Sequence, residues 1–184
     1  MTTRPTTPEI SRVLSHALRH APAEYGLALD AEGWTHVSGV LEALHGLGPQ
    51  WEFVDQGVLH EVLAGTGKKR HQIENGRIRA VHGHSVPVQP SSAPVQPPPV
   101  LFHGTGRAAA AIIRESGILP MRRQYVHLAE TAEQAREVGR RKDAEPVILT
   151  VDTGIAQAQG ISFYRSDSGV WLAGGVIPAS AVRA

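Results

Sequence analysis

The sequence predicts a two-lobed α+β protein, and three observations lead to this prediction. The chain has 184 residues, which is enough for two small hydrophobic cores. A proline-rich run, 86–99, lacks the periodicity of a helix or a paired strand and is typical of a stiff connector. Apolar positions before this run repeat at helical spacing, whereas those after it alternate between strands and helices. We therefore predict an amino-terminal lobe over 1–85, a linker over 86–99 and a carboxy-terminal lobe over 100–184.

The first predicted helix lies near the amino terminus. Thr7 can cap it, and Pro8 fits its first helical position. Apolar residues then recur at helical spacing, at Ile10, Val13, Leu14, Ala17 and Leu18. The helix is expected to end near His20, because Pro22 disfavours helical geometry in the residue before it.

Two further helices and a β-hairpin are predicted in the same lobe. Ser38 can cap a helix that runs through Leu44, and a third helix is marked by apolar residues at Val54, Val58, Leu59, Val62 and Leu63. The dipeptide Asn75-Gly76 tolerates the positive φ angles of a tight turn, so it predicts a hairpin with strands over 68–73 and 77–81. Three helices and a hairpin indicate a winged-helix-like lobe.

The second lobe is predicted to be a small α+β lobe. Its strands are expected over 100–103, 125–128, 147–151, 161–164 and 170–172, and its helices over 108–115 and 132–140. Gly117 can end the first of these helices, and Thr131 with Gln134 forms a capping box for the second. Phe163 and Trp171 are expected to pack in the core.

Composition excludes several classes of protein. The chain has no cysteine, which excludes disulfides and zinc sites built on thiolates. It has neither an apolar signal segment nor a run of about 20 apolar residues that could cross a bilayer, so we expect a cytoplasmic protein with no membrane association. Ten histidines include the pairs His16/His20 and His82/His84, but neither pair has a carboxylate or cysteine at ligand spacing, and we predict no metal site.

Basic residues concentrate at two places that could bind phosphate, although the formal net charge is only +1. Arg19 and His20 fall in the last turn of the first helix, either as ordinary helix-end cations or as part of a site. The hairpin and its approach carry six basic or potentially basic residues: Lys68, Lys69, Arg70, His71, Arg77 and Arg79. Arg77 and Arg79 share one face, so the hairpin is either a charged edge strand or a phosphate-binding element.

Two motifs of the second lobe could also meet an anion. His103-Gly104-Thr105-Gly106 lies between a predicted strand and a helix, where exposed backbone N–H groups can receive a pyrophosphate. We do not predict a Rossmann fold, because the nearest acidic partner is Glu130 and too little chain remains for a doubly wound sheet. The segment 121–128 places Arg122 and Arg123 before a strand in which Tyr125 and His127 would face away from the core.

Taken in order, these motifs resemble the RNA 2'-phosphotransferases, NAD-dependent enzymes known for removing the splice-junction 2'-phosphate from tRNA. The matching segments are Leu14–His20, Lys69-Arg70, Ile78–Ser85, Leu101–Thr105, Met121–Leu128 and Phe163–Leu172. The chain departs from the family pattern at His71, where the resemblance leads one to expect phenylalanine, and at His82, Tyr125, Ala129 and Ser168.

The resemblance implies a winged-helix amino lobe joined to an ADP-ribosyltransferase-like NAD lobe, with the active site between them. It places the catalytic set on Arg19, His20, Arg70 and Arg123. It favours NAD binding by His103, Gly104, Thr105, His127, Ser166, Gly169 and Val170. The implied substrates are tRNA-like RNA with an internal 2'-phosphate and NAD as co-substrate, with no obligate protein partner.

The implied reaction has two steps. A 2'-phosphate oxygen attacks C1″ of the nicotinamide ribose and expels nicotinamide, giving RNA-phospho-ADP-ribose. Ribose O2″ then attacks phosphorus and releases 2'-OH RNA and ADP-ribose 1″,2″-cyclic phosphate. Arginine suits phosphate binding and transition-state stabilisation because its planar guanidinium binds two phosphate oxygens and stays charged. His20 is expected either to donate a hydrogen bond to phosphate or to act as general acid/base.

Two other functions are compatible with the sequence. One is an ADP-ribosyltransferase that caps terminal phosphates of nucleic acid and stops after the first step. The other is a non-enzymatic winged-helix protein that binds nucleic acid and carries a ligand-sensing second lobe.

Overall fold

The computed structural model describes residues 3–65, 70–90 and 92–184, and the chain divides into two compact units at Gln89 and Pro90. Each unit has its own cluster of buried apolar side chains. The predicted α+β class is confirmed, since helices and small antiparallel sheets occur in both units. Lys68 and Lys69, with the start of the predicted first hairpin strand, lie outside the described residues.

The first helix, α1, spans Thr7–Arg19 and begins one residue earlier than predicted. Thr6 is the cap rather than Thr7, because the Glu9 carboxylate accepts the Thr6 N–H at 2.8 Å and the Thr6 hydroxyl at 2.7 Å. The apolar stripe of α1 is buried in the core of the first unit. The helix ends at Arg19, and a short 3₁₀ turn, Pro22–Tyr25, follows with Pro22 at its first position.

The next two helices are α2, Val37–His45, and α3, Gln56–Ala64. The predicted cap at Ser38 is wrong, because α2 begins at Val37 with His36 as its N-cap. The cap of α3 is Asp55, whose carboxylate accepts the Val58 N–H at 2.8 Å.

A three-stranded antiparallel sheet completes the first unit. Its strands are β1 (Thr35–His36), β2 (His71–Glu74) and β3 (Arg77–Ala80), in the order β1-β3-β2. Asn75 and Gly76 have φ angles of 48° and 72°, which confirms the predicted tight turn. The edge-strand interpretation of the basic hairpin is wrong for β3, which is the central strand and pairs on both sides.

In the second unit, the residues that the structure describes form two three-stranded antiparallel sheets and three α-helices. In chain order its elements are β4 (Val100–Thr105), α4 (Arg107–Ser116), β5 (Val126–Leu128), α5 (Ala132–Gly139), β6 (Val147–Asp152), α6 (Thr153–Ala158), β7 (Phe163–Arg165), β8 (Trp171–Ala173) and β9 (Val182–Arg183). The sheets have the orders β4-β6-β9 and β5-β8-β7. The five predicted strands and two predicted helices are confirmed with small changes of boundary, whereas α6 and β9 were not predicted.

Burial and caps in this unit agree with several expectations. Phe163 and Trp171 are 1% and 4% exposed, so core packing is confirmed for both. Gly117 ends α4 with a φ of +79°. The Thr131 hydroxyl accepts the Gln134 N–H, but the Gln134 side chain bonds the N–H of Glu130, so only half of the predicted capping box forms.

The described part of the predicted linker bonds to the unit on its own side of the division. The Gln89 N–H donates to the Ala31 carbonyl at 2.7 Å in the first unit. In the second unit the Val95 N–H donates to the Phe163 carbonyl at 2.8 Å, and the Thr153 hydroxyl donates to the Pro98 carbonyl at 2.6 Å. No helix within 3–65, 70–90 and 92–184 is both long and apolar enough to span a membrane.

Candidate active site

The carboxyl end of α1 brings together three of the predicted site residues. The Arg19 guanidinium donates to the main-chain carbonyl of Arg70 at 3.1 Å, and the same carbonyl accepts the Val81 N–H at 3.0 Å. His20 follows Arg19 as the C-cap of the helix, and its Nδ1 lies 3.1 Å from the Ser85 hydroxyl. Arg70 and His20 are exposed, and Arg19 is half-buried. The first unit therefore presents a cationic surface at this helix end.

Two buried histidines lie beneath this surface. His71 is 4% exposed and its Nε2 lies 3.2 Å from the Ser15 hydroxyl, while His84 is 8% exposed. Burial lowers the pKa of His71 to about 3, and the charges of Arg19 and Arg70 act in the same direction. Burial also lowers the pKa of His84 to about 4, with further lowering by Arg19 and His20. Both imidazoles are therefore neutral at pH 7.

The two arginines of β3, Arg77 and Arg79, are engaged in contacts within the first unit. They share one face, as predicted, and both guanidinium groups lie over the Trp34 ring, at 5.6 Å for Arg77 and 4.5 Å for Arg79. Arg79 is 7% exposed and donates twice to the Gln72 side-chain oxygen, at 2.9 and 3.2 Å. Arg77 forms an ion pair with Asp30. These contacts hold the hairpin against Trp34.

The second unit contains the fourth predicted catalytic residue, Arg123, beside two histidines. Its guanidinium donates to Nδ1 of His127 at 2.7 Å, so that nitrogen carries no proton. Val126 and Leu128 are buried, which confirms that His127 faces the other side of β5. Nδ1 of His103 donates to the His127 carbonyl at 3.1 Å. Burial lowers the pKa of His103, and its neutral ring therefore carries a lone pair on Nε2.

The structure changes the placement of the predicted phosphate loop, and phosphate binding there stays a prediction. His103, Gly104 and Thr105 lie inside β4 and pair with β6. A Cβ on Gly104 would lie 1.8 Å from the Ala135 carbonyl oxygen, so the glycine is needed for the close approach of α5. The N–H of Arg107, at the start of α4, already meets the Asp143 carboxylate at 3.2 Å.

The main-chain N–H of Gly104 points away from β6. The Phe102 N–H and carbonyl bond Ala129 on the edge of β4 opposite β6. Because hydrogen-bonding directions alternate along a strand, the Gly104 N–H points to the same edge as the N–H and carbonyl of Phe102. This edge also carries the bond between His103 and His127.

The predicted NAD-binding turn at Ser166–Val170 is closed by its own hydrogen bonds. The buried Ser166 hydroxyl donates to the Val170 carbonyl at 3.0 Å and accepts the Val170 N–H at 3.1 Å. Gly169 has a φ of +80°, which the turn requires. Ser168, a departure from the family pattern, lies 3.0 Å from the Ser166 hydroxyl. Contacts of this turn with NAD stay a prediction.

Sequence reasoning did not single out Ser85 or Asp143. Ser85 closes the motif Ile78–Ser85, which was its only signal, and its contact with His20 joins residues 65 positions apart. Asp143 contacts the N–H of Arg107 from 36 positions away. Within the part of the chain that the structure describes, no group of three or more His, Asp or Glu side chains is placed to hold a metal ion.

Comparisons with known proteins bear on nearly the whole chain. Residues 5–175 match the model of the family described as "RNA 2'-phosphotransferase, Tpt1 / KptA family". The chain is 44% identical over 175 residues to the probable RNA 2'-phosphotransferase of Acetivibrio thermocellus, covering 95% of each chain. It is 42% identical over 164 residues to that of Bacillus thuringiensis subsp. konkukian, covering 89% of this chain and 88% of the relative. The corresponding protein of Aeropyrum pernix is 38% identical over 169 residues, or 92% and 76% of the two chains.

Proposed function

Because the chain belongs to the RNA 2'-phosphotransferase, Tpt1 / KptA family, we propose that it transfers an internal RNA 2'-phosphate to NAD and leaves a 2'-OH on the RNA. The observation that carries the proposal is the cationic surface at the end of α1. There Arg19, His20 and Arg70 stand together above two neutral histidines. A dianionic phosphate is the ligand that such a surface favours.

In the first unit, Arg19 and Arg70 bind the oxygens of the 2'-phosphate. Arg70 is exposed, and the bond from Arg19 to its main chain keeps the two residues adjacent. Their positive charge would stabilise the negative charge that builds on phosphate oxygens during transfer. His20, beside them, donates a hydrogen bond to the phosphate or moves a proton to or from a reacting hydroxyl.

In the second unit, the donor and acceptor set fits NAD, which supplies the acceptor carbon and the nicotinamide leaving group. The Gly104 N–H and the Arg123 guanidinium are donors suited to phosphate oxygens. The neutral His103 ring, anchored through Nδ1, can accept a hydrogen bond at Nε2 from a ribose hydroxyl or an amide. Thr105 is buried and supports this strand, and His127 orients Arg123. We assign Arg123 to phosphate binding in the same reaction as Arg19 and Arg70.

The lobe assignments belong to the same proposal. We assign the first lobe, 1–85, to a winged-helix-like fold, which its three helices and sheet β1-β3-β2 support. We assign the second lobe, 100–184, to an ADP-ribosyltransferase-like fold, with 86–99 as the connection. Ser166, Gly169 and Val170 then shape a turn beside NAD rather than binding it through the Ser166 hydroxyl.

The test is incubation of the chain with NAD and an oligonucleotide that carries one internal 2'-phosphate, followed by mass analysis of all products. The matched control is the same oligonucleotide with a 2'-OH. We expect nicotinamide, a 2'-OH oligonucleotide and ADP-ribose cyclic phosphate only with the phosphorylated substrate. Nicotinamide release with an ADP-ribose adduct that persists on a 5'-phosphorylated oligonucleotide would instead indicate terminal capping. No consumption of NAD in either case would contradict both enzymatic activities.

A further inference from the structure

We propose that Ser85 is a positioning residue for His20: its hydroxyl keeps a proton on Nδ1 of His20 and thereby directs Nε2 to the reacting groups. The inference rests on the proposed function, in which His20 acts on phosphate or on a hydroxyl. It begins from three contacts at the end of α1. The Ser85 hydroxyl oxygen lies 3.1 Å from His20 Nδ1 and 3.3 Å from the Arg19 carbonyl, which also accepts the Ser85 N–H at 2.9 Å.

The positions of the hydrogens follow from what each group can do. In the proposed arrangement the hydroxyl hydrogen of Ser85 points to the Arg19 carbonyl, because a carbonyl oxygen can only accept. The serine has a single hydroxyl hydrogen, and its oxygen must then receive the hydrogen of the contact with His20. The Arg19 carbonyl lies at the negative end of the α1 dipole, which favours hydrogens that point toward it. In the proposed arrangement Nδ1 of His20 is therefore the protonated nitrogen, and the Ser85 oxygen accepts its hydrogen.

The main chain makes this arrangement rigid. The Ser85 N–H binds the same carbonyl as the Ser85 hydroxyl and holds the main chain there, and the single side-chain torsion of serine then places the hydroxyl. The proton on Nδ1 then leaves the lone pair of neutral His20 on Nε2. When His20 is cationic, the same Nε2 is a donor. Either protonation state thus acts through one atom, without a change in ring orientation.

Three charged or titratable groups near His20 do not depend on the Ser85 hydroxyl. His16, one turn earlier on α1, has its ring centroid 6.2 Å from that of His20. Arg19 precedes His20 in the chain. His84 is next to Ser85, and the charge of His20 contributes to the lowered pKa of His84. All three remain when Ser85 is changed to alanine, so that substitution removes the hydroxyl alone.

The experiment measures the tautomer of His20 and the kinetics of the full chain. The variants are Ser85→Ala, which lacks the hydroxyl, and Ser85→Thr, which restores it. Ser116→Ala is the matched control, because the Ser116 hydroxyl is exposed and donates to a helix carbonyl, that of Ile112, at 3.0 Å. Long-range ¹H–¹⁵N spectra of the ring nitrogens report which one carries the proton. Turnover is followed with NAD and the internally 2'-phosphorylated oligonucleotide.

We expect the parent chain, Ser85→Thr and Ser116→Ala to show the Nδ1–H form of His20, and Ser85→Ala to lose it. For Ser85→Ala we expect kcat to fall on the order of tenfold, as for the loss of one well-placed hydrogen bond, with KM for NAD changed by less than about twofold. Ser85→Thr should recover kcat.

Several results would overturn this role. An Nε2–H form in the parent chain contradicts it without any variant, and so does a Ser85→Ala protein in which Nδ1 stays protonated. A folded Ser85→Thr protein as slow as Ser85→Ala contradicts it as well. A parent chain that does not release 2'-phosphate contradicts the proposed reaction instead, because the tautomer is measured without substrate.

Discussion

Acid should destabilise the first unit through its two buried histidines. The pKa values of His71 and His84 are lowered to about 3 and about 4 in the folded chain, against an ordinary value near 6.5 in the unfolded chain. A histidine with a lowered folded pKa stabilises the fold above the unfolded pKa, and this contribution is lost as pH falls toward the folded value. Stability should therefore decrease from about pH 7 downward.

The expected size follows from the difference in bound protons. At pH 5 the unfolded chain is almost fully protonated at both positions and the folded chain at neither, so each histidine costs about 2 kcal/mol, or about 4 kcal/mol together. Between pH 7.5 and 6.5 the loss should be below about 1 kcal/mol in total. Replacing His71 with phenylalanine should remove about half of the dependence, because a buried apolar ring binds no proton.

Urea unfolding between pH 5 and 7.5 measures this effect. A Trp171→Phe background leaves Trp34 and Trp51, both in the first unit, as the fluorescent tryptophans. His60→Gln is the control, since His60 is exposed on α3. Equal free energies of unfolding at pH 5 and 7.5 would refute the reasoning, as would a His71→Phe chain with the same pH dependence as its parent.

Three further substitutions test the site and its support. Arg123→Ala should raise the activation barrier by about 3 kcal/mol and so lower kcat on the 2'-phosphorylated oligonucleotide roughly a hundredfold. Near-normal turnover would remove Arg123 from the catalytic set. Arg79→Ala should lower the free energy of unfolding by about 1–3 kcal/mol, because a buried ring contact and two hydrogen bonds are lost. The KM for the oligonucleotide should stay unchanged. A raised KM without a loss of stability would instead indicate that Arg79 binds the substrate. Gly104→Ala should lower the melting temperature, since overpacking costs about 1–3 kcal/mol. The control Gly154→Ala should leave the melting temperature unchanged. Equal melting temperatures for the two variants would contradict the close approach of Gly104 to the Ala135 carbonyl.

One departure from the family pattern has a structural explanation. His71 stands where the resemblance leads one to expect phenylalanine, and it is as buried as an apolar ring would be. The Ser15 hydroxyl meets its Nε2 at 3.2 Å, which satisfies a polar atom that burial would otherwise leave unpaired. Burial, together with the charges around it, lowers the pKa of His71 and keeps the ring neutral. The substitution therefore preserves a buried, uncharged ring beneath Arg19 and Arg70.

Elements with strong local signals were predictable. The apolar stripe and the proline signals of α1, and the Asn75-Gly76 turn, are encoded within a few residues and were confirmed to within about a residue. β1, α6 and β9 have two, six and two residues, which is too short for a periodic pattern. β1 and β9 are strands only because they pair with β3 and β6.

The sequence by itself determined the α+β class, the positions of most elements, the family and the residue types that can bind phosphate. Periodicity, turn chemistry and ordered motifs are properties of neighbouring residues, so they can be read along the chain. Only the tertiary structure decided which cations are engaged in packing and that Arg70 joins Arg19 and His20 at the helix end. Arg19 meets Arg70 across 51 positions and His20 meets Ser85 across 65, and no local pattern specifies such contacts. Long-range packing likewise gave Gly104 its role, because the neighbour that excludes a side chain there is the backbone of another element.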